Sequence, residues 1–111
     1  MTVEKDRDQY RIRLNQDPPV NFVRPAVDVT MLSVAETFGR NIIAVVLTGM
    51  GKDGLEGVRK IKSAGGRVII QDEASSVVWG MPRAIFKAGL ADEVLPVSKI
   101  PAAILKYINA N

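Results

Sequence analysis

Histidine and cysteine are absent from all 111 residues. Without a thiol there is no disulfide and no thiolate nucleophile, a composition compatible with a reducing compartment. A zinc site would have only carboxylates to draw on, so no metal and no other cofactor is expected. The lack of imidazole also limits what any carboxylate in this chain can do alone. Aromatic residues are scarce at 5%, so the core must be aliphatic. The longest apolar run, Ile42-Ile43-Ala44-Val45-Val46-Leu47, is far too short to cross a bilayer, and the N-terminus lacks the apolar stretch of a signal peptide. Membrane insertion is therefore not expected, and the reading is a soluble cytoplasmic protein. Basic residues outnumber acids by a formal +3, but the two signs are interspersed, as in Glu4-Lys5-Asp6-Arg7-Asp8. Nucleic-acid binding would call for a concentrated basic stripe with interleaved aromatics, and none is visible.

Apolar residues make up 47% of the chain, enough for one small domain or part of a larger one. The periodicity predicts an α/β fold: a mainly parallel sheet with helices on both faces, Rossmann-like and three-layered, after an N-terminal β-hairpin. Thr2-Val3-Glu4 and Tyr10-Arg11-Ile12-Arg13-Leu14 alternate polar and apolar residues, which places the hairpin over 1–15. Pro18-Pro19 ends that ladder. A helix follows over about 26–38, with Val27, Met31, Val34 and Phe38 on one stripe. Residues 42–108 then read as strand–helix units. Ile42–Leu47, Arg67–Gln71 and Asp92–Leu95 are the strands, and helices run from Leu55, from Pro82 and after Ser98, which is expected to cap the last one. Ile100, Ile104, Leu105 and Ile108 are expected to face inward on that helix.

The stretch Thr48-Gly49-Met50-Gly51-Lys52-Asp53-Gly54 carries the most information. It sits between a strand and a helix and holds one carboxylate. Three readings are open. Gly49-x-Gly51-x-x-Gly54 matches a dinucleotide fingerprint, with Asp72 after the next strand available for a ribose. Against this, Asp53 puts negative charge where a pyrophosphate would sit. The structural reading is a tight turn with Asp53 capping the helix that follows it. In the third, Asp53 is a catalytic carboxylate. A phosphate loop of the nucleotide-triphosphatase kind fails, because Asp53 follows Lys52 where a Ser or Thr is required.

The residues also resemble a known family. Leu47-Thr48-Gly49-Met50-Gly51-Lys52-Asp53-Gly54 is similar to the T-G-M-G-x-D-G motif of the chemotaxis protein-glutamate methylesterases. Gln71-Asp72-Glu73-Ala74-Ser75-Ser76-Val77-Val78-Trp79-Gly80-Met81-Pro82-Arg83 resembles that family's second long motif, and Arg24-Pro25-Ala26-Val27-Asp28 its R-P-(S/A)-V-D segment. The resemblance covers nearly the whole chain. It implies a serine hydrolase that demethylates glutamyl methyl esters, and deamidates glutamines, on the cytoplasmic helices of chemoreceptors. It makes Asp53 the acid of a Ser–His–Asp triad. Gly49, Met50 and Gly51 become candidates for lining the cleft, with backbone N–H groups that face the reacting carbonyl. Trp79 and Met81 either shape the mouth of that cleft or pack the core. Arg83 either steers toward acidic receptor helices or pairs on the surface.

The departure from the family is large. Neither its G-x-S-x-G-G turn nor its Q-H-M segment is present, and Ser75 and Ser76 read as turn residues. The expectation is a C-terminal portion of the catalytic domain, inactive alone, whose partners are the N-terminal half with Ser and His, a regulatory receiver domain and the receptor. The rivals are a nucleotide-binding module and a non-catalytic interaction fragment.

Overall fold

The computed structural model describes residues 1–110. A hairpin opens the chain: β1 (Thr2–Asp6) pairs antiparallel with β2 (Gln9–Arg13), Thr2 opposite Arg13 and Asp6 opposite Gln9. The turn is tighter than the polar link 5–9 suggests, with Arg7 in a left-handed conformation. The order then runs α1 (Val27–Phe38), β3 (Ile43–Val46), α2 (Leu55–Ser63), β4 (Arg67–Gln71), α3 (Met81–Lys87), β5 (Glu93–Leu95) and α4 (Ile100–Asn109). Strands β3, β4 and β5 form one parallel sheet in that order, with Val46 beside Ile70 and Gln71 beside Leu95. The segment Val77-Val78-Trp79 contributes only a bridge, Gly49 to Trp79, beyond the end of β3.

Strand alternation divides the core in two. Ala44, Val46, Val68 and Ile70 point to one face, where Ala35 of α1, Val58 and Ile61 of α2 and Ile85 of α3 cover them. Ile69 points to the other, against Ile100 and Ala103 of α4, with Ile43, Val45 and Leu95 alongside. That period of two, with helices on both sides, is the three-layer arrangement read from the sequence. Val58, Ile61, Val68, Ile69, Ile70 and Ile85 are each at most 1% exposed. Burial stabilises each such side chain by about 2 kcal/mol relative to exposure.

The last helix corrects two expectations. Ser98 does not cap it: Val97–Lys99 form a short 3₁₀ turn, the residue before the helix is Lys99, and no side chain caps it. Leu105 and Ile108 are exposed, while Ala103 and Tyr107 take the inward positions. Ile100 and Ile104 do face inward as expected, so the inward face runs through 100, 103, 104 and 107. On α1, Val27 is more exposed than the stripe predicts, and the most buried positions are Asp28 and Ala35.

Helices α1 and α2 approach closely at Gly57. A methyl group there would meet Met31 Cβ at 2.4 Å and Asp28 Oδ1 at 3.2 Å. Replacing Gly57 with Ala should therefore lower stability by about 1–3 kcal/mol despite the better helix propensity of alanine. Chemical denaturation of the two chains measures it, and a more stable variant would show that the helices have room to part.

Candidate functional site

The glycine loop leaves the C-terminal end of β3 and is fixed by the second long motif. Gly49 donates its N–H to Val78 O at 2.9 Å and accepts at its carbonyl from Gly80 N and Met81 N, both at 2.9 Å. Thr48 Oγ1 donates to Val78 O and accepts from Val78 N. Buried Gln71 reaches across from β4: its Oε1 accepts from Thr48 N at 2.7 Å, and its Nε2 donates to Ser75 O. A Cβ on Gly80 would lie 2.7 Å from Gly49 O and 2.9 Å from Gly51 N, so only glycine lets the two segments meet.

Asp53, half-buried at the end of this loop, caps a helix other than its own. Its Oδ2 accepts from Val27 N at 2.6 Å, and its Oδ1 accepts from Asp28 N at 3.0 Å and from Asn21 Nδ2 at 2.9 Å. Those two amides are the first of α1, whose preceding residue, Ala26, offers no side-chain cap. Negative charge and acceptor capacity arrive together where the helix end presents unpaired N–H groups. The expectation that Asp53 caps the helix following it is thus corrected. Gly54, left-handed at φ 104°, starts α2 with no side-chain cap.

That second helix end is closed by Asp28. Its Oδ1 accepts from Gly57 N at 2.7 Å, its Oδ2 accepts from Asn21 Nδ2 at 2.7 Å, and the residue is 3% exposed. Each carboxylate holds the start of the other's neighbouring helix, and the amide of Asn21 bridges them. The sequence presents Asp28 only as part of a motif and gives Asn21 no distinguishing signal. An acid at the second position of a helix, next to an apolar stripe, was the available signal.

An ionised carboxylate accepts about four hydrogen bonds. Asp53 receives three: two at Oδ1 and one at Oδ2. One acceptor position on Oδ2 is left, and a single N–H donor would complete it. Around it the candidates separate. Gly49 cannot donate to a substrate, because its N–H is engaged by Val78 O. Met50 and Gly51 have no acceptor for their N–H groups among the described residues, and the Met50 side chain is 84% exposed. Met81 lies beneath the loop and packs on the larger core, where a Cβ on Gly49 would come within 2.6 Å of its Sδ. Trp79 is half-buried, donates Nε1–H to Gln71 O at 2.9 Å and stands 5.6 Å from Phe86, ring centre to ring centre. Both serve the packing under the loop. Arg83 is exposed on α3 and makes no ion pair among the described residues.

The nucleotide reading loses its physical basis. The α2 amide that would face a phosphate, Gly57 N–H, is taken by the Asp28 carboxylate. Asp72, the proposed ribose ligand, accepts at Oδ1 from Ser75 N and Ser75 Oγ inside its own turn. Ser75 Oγ also accepts from Val97 N, as expected of a turn residue rather than a nucleophile. No cluster of three acids able to hold a metal occurs among the described residues. No helix there is long and apolar enough to cross a membrane.

Two measurements follow from this geometry. Calorimetric titration with NAD or ADP should give no binding heat, whereas micromolar affinity would reopen the nucleotide reading. Gly80→Ala should cost about 1–3 kcal/mol and broaden the amide resonances of residues 49–51, because the clash is with backbone rather than with a movable side chain. Unchanged stability and spectra would remove Gly80 from this contact.

The family model described as CheB methylesterase matches residues 1–104. A protein-glutamate methylesterase/protein-glutamine glutaminase of Rhodospirillum rubrum is 52% identical over 98% of this chain, which spans 28% of that protein. The protein-glutamate methylesterase FrzG of Myxococcus xanthus is 48% identical over 93% of the chain, which spans 31% of it. The crystal structure of the Thermotoga maritima CheB methylesterase catalytic domain superposes with a TM-score of 0.93 and 42% identity, over 96% of this chain and 56% of that one. By motif, fold and identity along almost its whole length, the chain belongs to the CheB methylesterase family.

Proposed function

We propose that this chain is the part of a serine hydrolase that carries the triad acid, and that the acid is Asp53. The substrates are glutamyl methyl esters, and glutamines, on the cytoplasmic helices of chemoreceptors. The observation that carries the reading is the carboxylate itself. Asp53 is held by three donors on a rigid loop at a strand end, with one acceptor position left on Oδ2.

The chemistry follows from that vacancy in the hydrogen-bond set. An imidazole donates its N–H to Oδ2, which fixes the ring's orientation and its tautomer. Its other nitrogen takes the proton of a serine hydroxyl as that oxygen attacks the ester carbonyl. The carboxylate stabilises the imidazolium so formed. The imidazolium then protonates the departing methanol, or ammonia when the substrate is an amide. Water releases the glutamate side chain by the reverse sequence. The free N–H groups of Met50 and Gly51 are the local donors for the negative oxygen of the tetrahedral intermediate. The serine and histidine come from polypeptide outside residues 1–111, and that segment is the first proposed partner. A regulatory receiver domain is the second, and the receptor the third. The proposed place of action is the cytoplasm.

A chimera tests the reading. Residues 1–110 replace the matching portion of the Thermotoga maritima catalytic domain, and methanol release from methylated receptor is measured. Turnover is expected in the chimera and none in the 111-residue chain alone. Asp53→Asn in the chimera should lower kcat by about 10⁴-fold, as loss of the triad carboxylate does in a serine protease. A folded chimera without turnover, or an Asp53→Asn variant with near-normal kcat, would refute the assignment.

A further inference from the structure

We infer that Asp28 is a positioning residue for Asp53, acting through the side-chain amide of Asn21. The inference rests on the proposed role of Asp53 and names the device that aims it. The Asp28 side chain does not fill the open acceptor position on Asp53, because its oxygens only accept: Oδ1 from Gly57 N and Oδ2 from Asn21 Nδ2. It acts on Asp53 by two routes, one direct through its backbone and one through the Asn21 amide. Its own N–H donates to Asp53 Oδ1. Its Oδ2 takes one hydrogen of the Asn21 amide and so turns the other toward Asp53 Oδ1.

The loop carrying Asn21 is bent for this purpose. Asn21 and Phe22 both have left-handed backbones, with φ of 55° and 65°. Such a conformation costs a non-glycine residue about 1–2 kcal/mol, least for asparagine. Phe22 gains nothing visible from it, since its side chain is fully exposed. What the bend secures is the bridging amide, with charge-assisted bonds to two carboxylates. Fixing Oδ1 from two sides leaves rotation of the Asp53 carboxylate no freedom, and that fixes where the open position on Oδ2 points.

The bridge has a definite polarity. In Asp28→Asn the new amide can keep its oxygen on Gly57 N–H. Its nitrogen then faces the nitrogen of Asn21, donor against donor, and the Asn21 amide nitrogen must turn away from residue 28 and from Asp53.

Site-resolved hydrogen exchange on the 111-residue chain reads this without any activity. In Asp28→Asn the Val27 amide, which reports the Asp53 contact directly, should exchange at least tenfold faster. Ile69 and Ile70, in the central strand, should exchange at the wild-type rate. Asn21→Ala should reproduce the Val27 effect and leave Gly57 protected, which keeps the test alive if Asp28→Asn does not fold. Unchanged exchange at Val27, or equal acceleration at Val27 and Ile70, overturns the inference. In the chimera, Asp28→Asn should lower kcat about tenfold with KM unchanged. A wild-type kcat there, with Asp53→Asn inactive, also overturns it. An active Asp53→Asn chimera would instead refute the triad assignment, and the exchange result would still decide whether the bridge exists.

Discussion

Two helix beginnings, each closed by an acid from the other side of the contact, hold this structure's functional end together. Neither α1 nor α2 has a capping side chain at its own start. Asp53 supplies the acceptors for Val27 and Asp28 amides, and Asp28 supplies the acceptor for Gly57. The exchange is possible only because the helices nearly touch at Gly57, where a side chain would strike Met31. Close packing, helix capping and the aim of the candidate catalytic acid are therefore one arrangement.

The glycine loop has a comparable dependence on the segment after β4. Its backbone is fixed from outside by Val78, Gly80 and Met81, and by the Gln71 side chain beneath. Two stretches more than twenty residues apart act as one rigid corner at the carboxyl end of the sheet. This is where ligands of open α/β sheets are commonly received. Apolar burial on the two sheet faces sets the corner's position, and the polar contacts set its shape.

The fold was largely legible because its signals are local or periodic. The six-residue apolar run from Ile42, the Gly65-Gly66 stop and the short apolar run Val68-Ile69-Ile70 each mark an element without knowledge of its neighbours. The motif containing Asp53 was equally plain, although from spacing alone it also suited a nucleotide. What stayed hidden was the direction of the capping. A residue before a helix is most often its cap, and nothing local says that Asp53 serves a helix 26 residues upstream. Asn21 was hidden for the same reason, since its worth lies in two contacts made across the fold. On α4, Leu105 and Ile108 continue a helical stripe from Ile100 and Ile104 as well as Ala103 and Tyr107 do, and periodicity alone does not say which side meets the sheet.

The double duty proposed for Asp53 separates folding from turnover in one direction only. A descendant that had lost its nucleophile would still need an acceptor for the first amides of α1, and would keep this acid to stay folded. Finding the aspartate in a distant sequence therefore attests to the architecture and leaves the question of hydrolysis to other residues.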